Sequence, residues 1–119
     1  IFDHLNQPPI ATKEKFGEWG NLMKEAAGNK NFYAKISGLG TTTKNLTGWT
    51  TEDLKPYIEF VLEQFGNDRC FCGGDWPVSL LAGNYTKTWM AYKEVLGNVL
   101  NTTEQAKIFY SNAIDFYNL

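Results

Sequence analysis

The chain contains 119 residues with a formal net charge of −2, 43% hydrophobic residues and 15% aromatic residues. This length allows one domain and is shorter than the roughly 200 residues of a complete eight-stranded α/β barrel. The slightly negative net charge argues against the basic surface that nucleic-acid binding needs. The apolar runs are shorter than the roughly 18 residues of a membrane span. We therefore expect a soluble protein whose partner is neither nucleic acid nor a membrane.

Three short apolar segments predict β-strands. Residues 1–5, IFDHL, end at the turn-forming sequence NQPP, and residues 32–39, FYAKISGL, are rich in aromatic and branched side chains. The third segment, RCFCGGDWP at 69–77, runs into a glycine-rich turn.

Longer segments with apolar residues every three or four positions alternate with these strands and predict helices. Residues 12–27 predict an amphipathic helix that stops at Gly28, and a second helix is expected to begin with a cap at Thr51 and to end at Gly66. Two further helical patterns follow, the second opening with a Thr102/Gln105 capping box. The apolar stripe of the first helix comprises Phe16, Trp19, Leu22, Met23 and Ala26.

The alternation of strand and helix patterns predicts right-handed βαβ units with a parallel sheet. In such sheets the functional side chains lie at the carboxyl ends of the strands. His4 ends the first predicted strand, Ser37 lies near the end of the second, and Asp75 follows the third. We therefore expect these three side chains to converge on one rim of the sheet.

The only two cysteines are Cys70 and Cys72, whose spacing on an extended segment places both side chains on the same face. This spacing suits neither a mutual disulfide nor the CxxC pattern of redox and zinc sites. We interpret them as packed, reduced thiols, which favours a cytoplasmic location. Three N-x-T sequons, at Asn45, Asn84 and Asn101, would allow glycosylation if the protein were secreted.

Four segments, DHLNQPPI, FYAKISGL, FGNDRCFCGGDWPVS and IFYSNAIDFYNL, resemble in order and spacing the C-terminal stretch of the amidohydrolase-related lactonases. This family of metal-dependent-hydrolase-like TIM barrels includes sugar-lactone and pyrone-dicarboxylate lactonases. The resemblance implies an α/β fold in which residues 1–119 form a single partial domain, the C-terminal part of a TIM (β/α)8 barrel with about three βα units and parallel strands. The start at Ile1, without a methionine, likewise indicates a fragment.

The resemblance also implies roles for two residues. Asp75 matches the acid that takes a proton from the attacking water, and His4 matches a histidine that polarises the lactone carbonyl or ligates a metal. A divalent metal such as zinc would thus be held partly by Asp75 and His4, whereas metal-independent members of the family require none. The sequence departs from the family in two respects: Gly74 replaces the serine of the GSDWP pattern, and the His-x-His pair of the first barrel strand is absent from this chain.

Each candidate residue also has an ordinary structural explanation. Asp75 fits a turn or helix-capping acid, and His4 fits a histidine hydrogen-bonded by its neighbour or by backbone. Lys35 points either inward, toward a substrate carboxylate, or outward to solvent. Ser37 lies two residues further along the strand and therefore faces the same side, so both are substrate-binding residues if that side is the inner one. Trp76 is the tryptophan expected to line a pocket, where it would raise the pKa of Asp75 by burial.

Two functions remain open at this point. The first is the C-terminal part of a hydrolase, a lactonase that opens a small sugar-derived or dicarboxylic lactone with a water activated by Asp75; the isolated chain, with one histidine, would be inactive. The second is a non-catalytic α/β module that self-associates as a homo-oligomer through exposed strand edges. An upstream His-x-His pair would favour the first function.

Overall fold

The computed structural model describes residues 1–119, which form two short β-strands and six α-helices. In chain order these are α1 (Gly17–Ala27), β1 (Ala34–Ile36), α2 (Leu39–Thr42), α3 (Thr51–Phe65), β2 (Cys70–Cys72), α4 (Tyr85–Val99), α5 (Thr102–Ala106) and α6 (Asn112–Tyr117). A tight turn covers Asp3–Asn6, a 3₁₀ turn covers Val78–Ala82, and a π-helical turn, Lys107–Ser111, joins α5 to α6. None of the helices has the length and hydrophobicity that crossing a membrane requires.

All the paired segments of the sheet run in the same direction. β1 pairs in parallel with β2, with Ala34 opposite Cys70 and Ile36 opposite Cys72. On the other side of β1, Phe2 forms a parallel bridge with Ala34, and its N–H donates to the carbonyl oxygen of Tyr33 at 2.8 Å. The prediction of an α/β fold with parallel strands is therefore confirmed, with β1 in the middle.

The first predicted strand is much shorter than residues 1–5. Only Phe2 pairs with the sheet, and the four residues from His4 to Gln7 all adopt positive φ angles between 50° and 55°. The apolar segment at residues 1–5 suggested a longer strand, but Leu5 is fully buried and its carbonyl oxygen accepts a hydrogen bond from Nε1 of Trp19 at 2.8 Å. Tertiary contacts therefore turn the chain away from the sheet directly after Phe2.

Helix α1 begins five residues later than the apolar pattern predicted. Phe16, the residue before α1, has a φ angle of 65°, outside the range of a right-handed helix, so the helix cannot extend back to residue 12. Met23 and Ala27 are buried, whereas Leu22 is 52% exposed and lies outside the packed face. The prediction that Leu22 belongs to the apolar stripe is wrong.

Two predicted helix caps are each displaced by one residue. The capping residue of α3 is Thr50, whose N–H donates to the Asp53 carboxylate at 2.8 Å, and not Thr51. The capping box of α5 pairs Asn101 with Glu104, with hydrogen bonds of 2.9 Å in both directions, in place of the Thr102/Gln105 pair. The two motifs overlap in sequence, and the stronger carboxylate acceptor determines where α5 begins.

Helices cover the sheet and complete the core. The buried apolar side chains of α3 and α4 form one cluster with Ala34 and Ile36 of β1. Phe71 of β2 contacts the rings of Phe116 and Tyr117 at the C-terminal end of the chain. The side-chain amide of Asn112 donates to the carbonyl oxygens of Asn67 and Cys70, at 2.6 and 2.8 Å. The C-terminal helical segment is therefore fastened to β2 by both packing and hydrogen bonds.

Candidate active site

His4, Ser37 and Asp75 lie together at the carboxyl end of the parallel sheet, as predicted. Nδ1 of His4 is 2.9 Å from Oγ of Ser37, and Nε2 of the same ring is 3.8 Å from Oδ1 of Asp75. The His4 side chain is 33% exposed and that of Asp75 is 18% exposed. An imidazole and a carboxylate thus face each other at a partly open rim, an arrangement suited to general acid–base chemistry on a small molecule.

Gly38, which directly follows Ser37, allows this close approach. A Cβ atom at this position would lie 2.5 Å from Oδ2 of Asp75 and 2.7 Å from Nδ1 of His4. The φ angle of Gly38 is +59°, in the left-handed region that favours glycine. No sequence pattern identified Gly38 as part of the site; the only signal was a glycine at the end of a predicted strand.

The two facing residues are both held in left-handed backbone conformations. His4 has a φ angle of 55° and Asp75 one of 50°. Such conformations in residues other than glycine persist only where the surrounding structure enforces them, and they cluster at functional sites. The N–H of Ser79 donates to the carbonyl oxygen of Asp75 at 2.8 Å, which anchors the loop that carries the carboxylate.

Lys35 lies on the same face of β1 as Ser37, as their parity predicted. A Cβ atom at Gly73 would contact the side chains of both, at 3.2 Å from Cδ of Lys35 and 3.5 Å from Cβ of Ser37. Nζ of Lys35 forms an ion pair with the Asp3 carboxylate at 2.5 Å. The hydrogen bond from Lys35 lowers the pKa of Asp3 below its usual value, despite some opposing desolvation. The ammonium group therefore already has an anionic partner within the chain.

Trp76 does not enclose the carboxylate in the way the sequence suggested. Its side chain is among the exposed large apolar groups, at 67%. The ring lies mostly in solvent, and Asp75 is enclosed from the side of His4 and Gly38 instead. The Trp76 side chain is therefore accessible to solvent, next in sequence to Asp75.

A polar cleft of about 340 Å³ opens between the turn that follows His4 and helix α2. Its walls come from the two loops that leave the carboxyl ends of the Phe2 segment and β1. The polar lining residues are Gln7, Thr12, Thr41, Thr42 and Lys44. This cleft offers hydroxyl, amide and ammonium groups to a hydrophilic ligand.

The residues present do not complete a metal site. No three side chains among the histidine, cysteines and acids of the chain cluster at metal-binding distance. A catalytic zinc commonly has three protein ligands, and His4 with Asp75 supplies two. Cys70 and Cys72 are buried and unpaired, as predicted, and burial raises the pKa of both thiols, that of Cys70 to about 12. Neither thiol is a ready metal ligand.

The parallel strands joined by helices, with an imidazole and a carboxylate facing each other at the carboxyl ends of the strands, define the chain as part of an α/β protein whose candidate site lies at the strand ends. The sequence model of the amidohydrolase family matches residues 1–119, and the chain belongs to this family.

Curated relatives agree with this assignment. The chain is 35% identical over 104 residues to the uncharacterized protein y4mH of Sinorhizobium fredii, a match covering 87% of this chain and 34% of that protein. It is 33% identical to an L-fucono-1,5-lactonase of Burkholderia ambifaria, covering 100% of this chain and 41% of the relative. It is 29% identical to an L-rhamnono-gamma-lactonase of Scheffersomyces stipitis, covering 100% of this chain and 40% of the relative.

Solved structures show the same fold. An amidohydrolase of Burkholderia multivorans with bound zinc superposes with a TM-score of 0.92 at 24% identity, covering 98% of this chain and 43% of that one. A second structure described in the same words, with bound HEPES, gives a TM-score of 0.90 at 26% identity and the same coverage. The chain spans between 34% and 43% of the length of these relatives.

Proposed function

We propose that the protein containing this chain is a lactonase and that residues 1–119 form the C-terminal segment of its barrel, with about three βα units. The observation that carries this proposal is the pair formed by His4 and Asp75, 3.8 Å apart at the carboxyl end of parallel strands. The names of the fucono- and rhamnono-lactonase relatives support lactone hydrolysis as the reaction.

In the proposed reaction, Asp75 is the general base. Its carboxylate takes a proton from a water molecule while the water oxygen bonds to the lactone carbonyl carbon, and His4 donates a hydrogen bond to the carbonyl oxygen as negative charge develops there. The tetrahedral intermediate then expels the ring oxygen, which receives the proton from Asp75. This mechanism needs the water oxygen within about 3 Å of Asp75 and the carbonyl oxygen within about 3 Å of Nε2 of His4. The two groups face each other at 3.8 Å across a partly open rim.

The substrate is a small sugar-derived or dicarboxylic lactone. Lys35 and Trp76 are the proposed substrate-binding residues; the cleft beside α2 is lined by neither His4 nor Asp75 and is not assigned to the substrate. A divalent metal such as zinc would need ligands in addition to His4 and Asp75, so no step of the reaction is assigned to one. The two buried, unpaired thiols support a cytoplasmic location.

The proposal is tested by assaying the full-length protein against a panel of sugar-derived and dicarboxylic lactones, with metal analysis of the same preparation. We expect hydrolysis of at least one lactone and a loss of about 100-fold or more in the Asp75→Asn variant, as for removal of a general base. Asp115→Asn, an exposed acid of α6, is the matched control and should retain activity. Full activity in Asp75→Asn would end the assignment of Asp75 as the base.

A second assay concerns the isolated chain. Residues 1–119 contain one histidine and no complete metal site, so we expect no measurable lactone hydrolysis from the chain alone. Activity comparable to that of the full-length protein would show that the 119 residues contain the whole catalytic machinery.

A further inference from the structure

Ser37 makes two contacts with His4 and has no access to solvent. Its hydroxyl oxygen lies 2.9 Å from Nδ1 of the imidazole and 3.3 Å from the backbone nitrogen of the same residue. Ser37 is fully buried. It is therefore poorly placed to touch a substrate, although its position near the strand end predicted substrate binding.

These contacts determine which ring nitrogen of neutral His4 carries the proton. The backbone N–H of His4 can only donate, so the Ser37 oxygen accepts from it, and the Ser37 O–H proton is left with Nδ1 as its partner. If Nδ1 carried the proton instead, the serine oxygen would accept two hydrogen bonds and its own buried O–H would have no acceptor, which is costly. The arrangement favours an unprotonated Nδ1 and a protonated Nε2.

The other side of the ring gives the same answer independently. Nε2 faces Oδ1 of Asp75 at 3.8 Å, and an ionised carboxylate is only an acceptor. An N–H pointing toward this carboxylate is electrostatically favourable, whereas a nitrogen lone pair pointing toward it is repelled.

We propose that Ser37 is a positioning residue that holds neutral His4 with its proton on Nε2, so that His4 acts as a hydrogen-bond donor and not as a metal ligand. The inference rests on the proposed function for its catalytic meaning, since the donated hydrogen bond goes to the lactone carbonyl. A histidine binds a metal through an unprotonated nitrogen, and here the only such nitrogen, Nδ1, is occupied by the buried serine.

The state of the ring can be measured without any assay of activity. Nitrogen-15 NMR of the full-length protein labelled at histidine, recorded at about pH 9, where free imidazole is neutral, distinguishes protonated from unprotonated ring nitrogens. His4→Gln identifies the His4 signals by their loss. We expect protonated Nε2 and unprotonated Nδ1; a protonated Nδ1, or an averaged mixture of the two forms, would overturn the proposal.

Two further arms test the role of the serine and the exclusion of metal. In Ser37→Ala the His4 signals should become those of a mixture of the two neutral forms, with the proton on Nδ1 or on Nε2. The kcat of this variant should fall by about 10- to 100-fold with little change in KM, as for other groups that orient a functional histidine. Ser111→Ala, in the Lys107–Ser111 π-helical turn, removes a serine that forms no hydrogen bond with His4 or Asp75 and should leave both unchanged. Addition of zinc should leave the His4 signals in place, and a shift of Nε2 would contradict the proposal. The NMR measurements test the position of the proton on His4 even if the protein hydrolyses no lactone, so a failure of this inference and a failure of the proposed function can be distinguished.

Discussion

A side chain on Gly38 would collide with Asp75, because a Cβ atom there would lie 2.5 Å from Oδ2 of the carboxylate. The same atom would lie 2.7 Å from Nδ1 of His4. The imidazole of His4 and the carboxylate of Asp75 can therefore lie this close together because Gly38, which lies against both, has no side chain.

Gly38→Ala should accordingly damage both activity and stability. The contacts with Asp75 and His4 must open, and alanine at a φ angle of +59° adds a backbone cost of roughly 1–2 kcal/mol. Activity on the best lactone and the free energy of unfolding of the full-length protein are the measurements. Gly97→Ala is the control: this position of α4 has nothing within 4 Å, so alanine there should stabilise the helix by about 0.5–1 kcal/mol. Equal effects of the two substitutions would contradict the steric explanation.

The ion pair between Lys35 and Asp3 predicts a specific dependence on pH. The pKa of Asp3 is lowered chiefly by the hydrogen bond from Lys35, so the pair contributes stability above the ordinary Asp pKa and loses it as pH falls through the lowered value. Lys35→Met should return the pKa of Asp3 toward its ordinary value, as measured by carbon-13 NMR titration of the carboxyl group. Lys107→Met removes a different pair, with Asp68, and should leave the pKa of Asp3 unchanged. An unchanged Asp3 titration in Lys35→Met would show that the pair does not persist in solution.

The two cysteines should be inert in the folded protein. Burial raises the pKa of the Cys70 thiol to about 12 and also raises that of Cys72, so neither forms the reactive thiolate near neutral pH. At about pH 8, iodoacetamide followed by peptide mapping should find both unmodified in the native protein and both labelled in denaturant. Rapid labelling of either under native conditions would mean that β2 is open to solvent.

Asn112 should be one of the most sensitive polar positions outside the site. Its amide donates to the carbonyl oxygens of Asn67 and Cys70, and alanine would leave both without that partner. We expect a loss of about 1–3 kcal/mol in the free energy of unfolding, measured by urea denaturation. The control is Asn98→Ala, at an exposed asparagine of α4, which should change the free energy of unfolding by a few tenths of a kcal/mol at most. An equally small change for Asn112→Ala would show that its two hydrogen bonds do not stabilise the fold.

The direction of the strands and the meeting of His4, Ser37 and Asp75 could be predicted from sequence because both depend on pattern alone. Alternating strand and helix signals dictate parallel pairing, and parallel pairing places the ends of successive strands on one rim. This rule places the three residues on the same rim but does not give the contacts among them. Which pairs of side chains touch depends on rotamers and loop geometry that no local pattern encodes.

The errors have a common physical origin in contacts between distant parts of the chain. The segment after Phe2 looks like a strand locally, but burial of Leu5 and the hydrogen bond from Trp19 bend it into a turn. The importance of Gly38 could not be recognised, since it depends on two residues far away in sequence. The caps of α3 and α5 were displaced by one position because neighbouring residues offered competing motifs, and only the folded geometry decides between them.

The hydrogen bond from Trp19 to the Leu5 carbonyl oxygen connects helix α1 to the segment that carries His4. Left-handed backbone in residues such as Leu5 is disfavoured by roughly 1–2 kcal/mol each, so the loop bearing His4 would relax if nothing behind it resisted. Helix α1 supplies that resistance through the hydrogen bond from Trp19. Substitutions in α1, which contributes neither His4 nor Ser37 nor Asp75, would therefore change the orientation of the imidazole while every residue at the rim stayed the same.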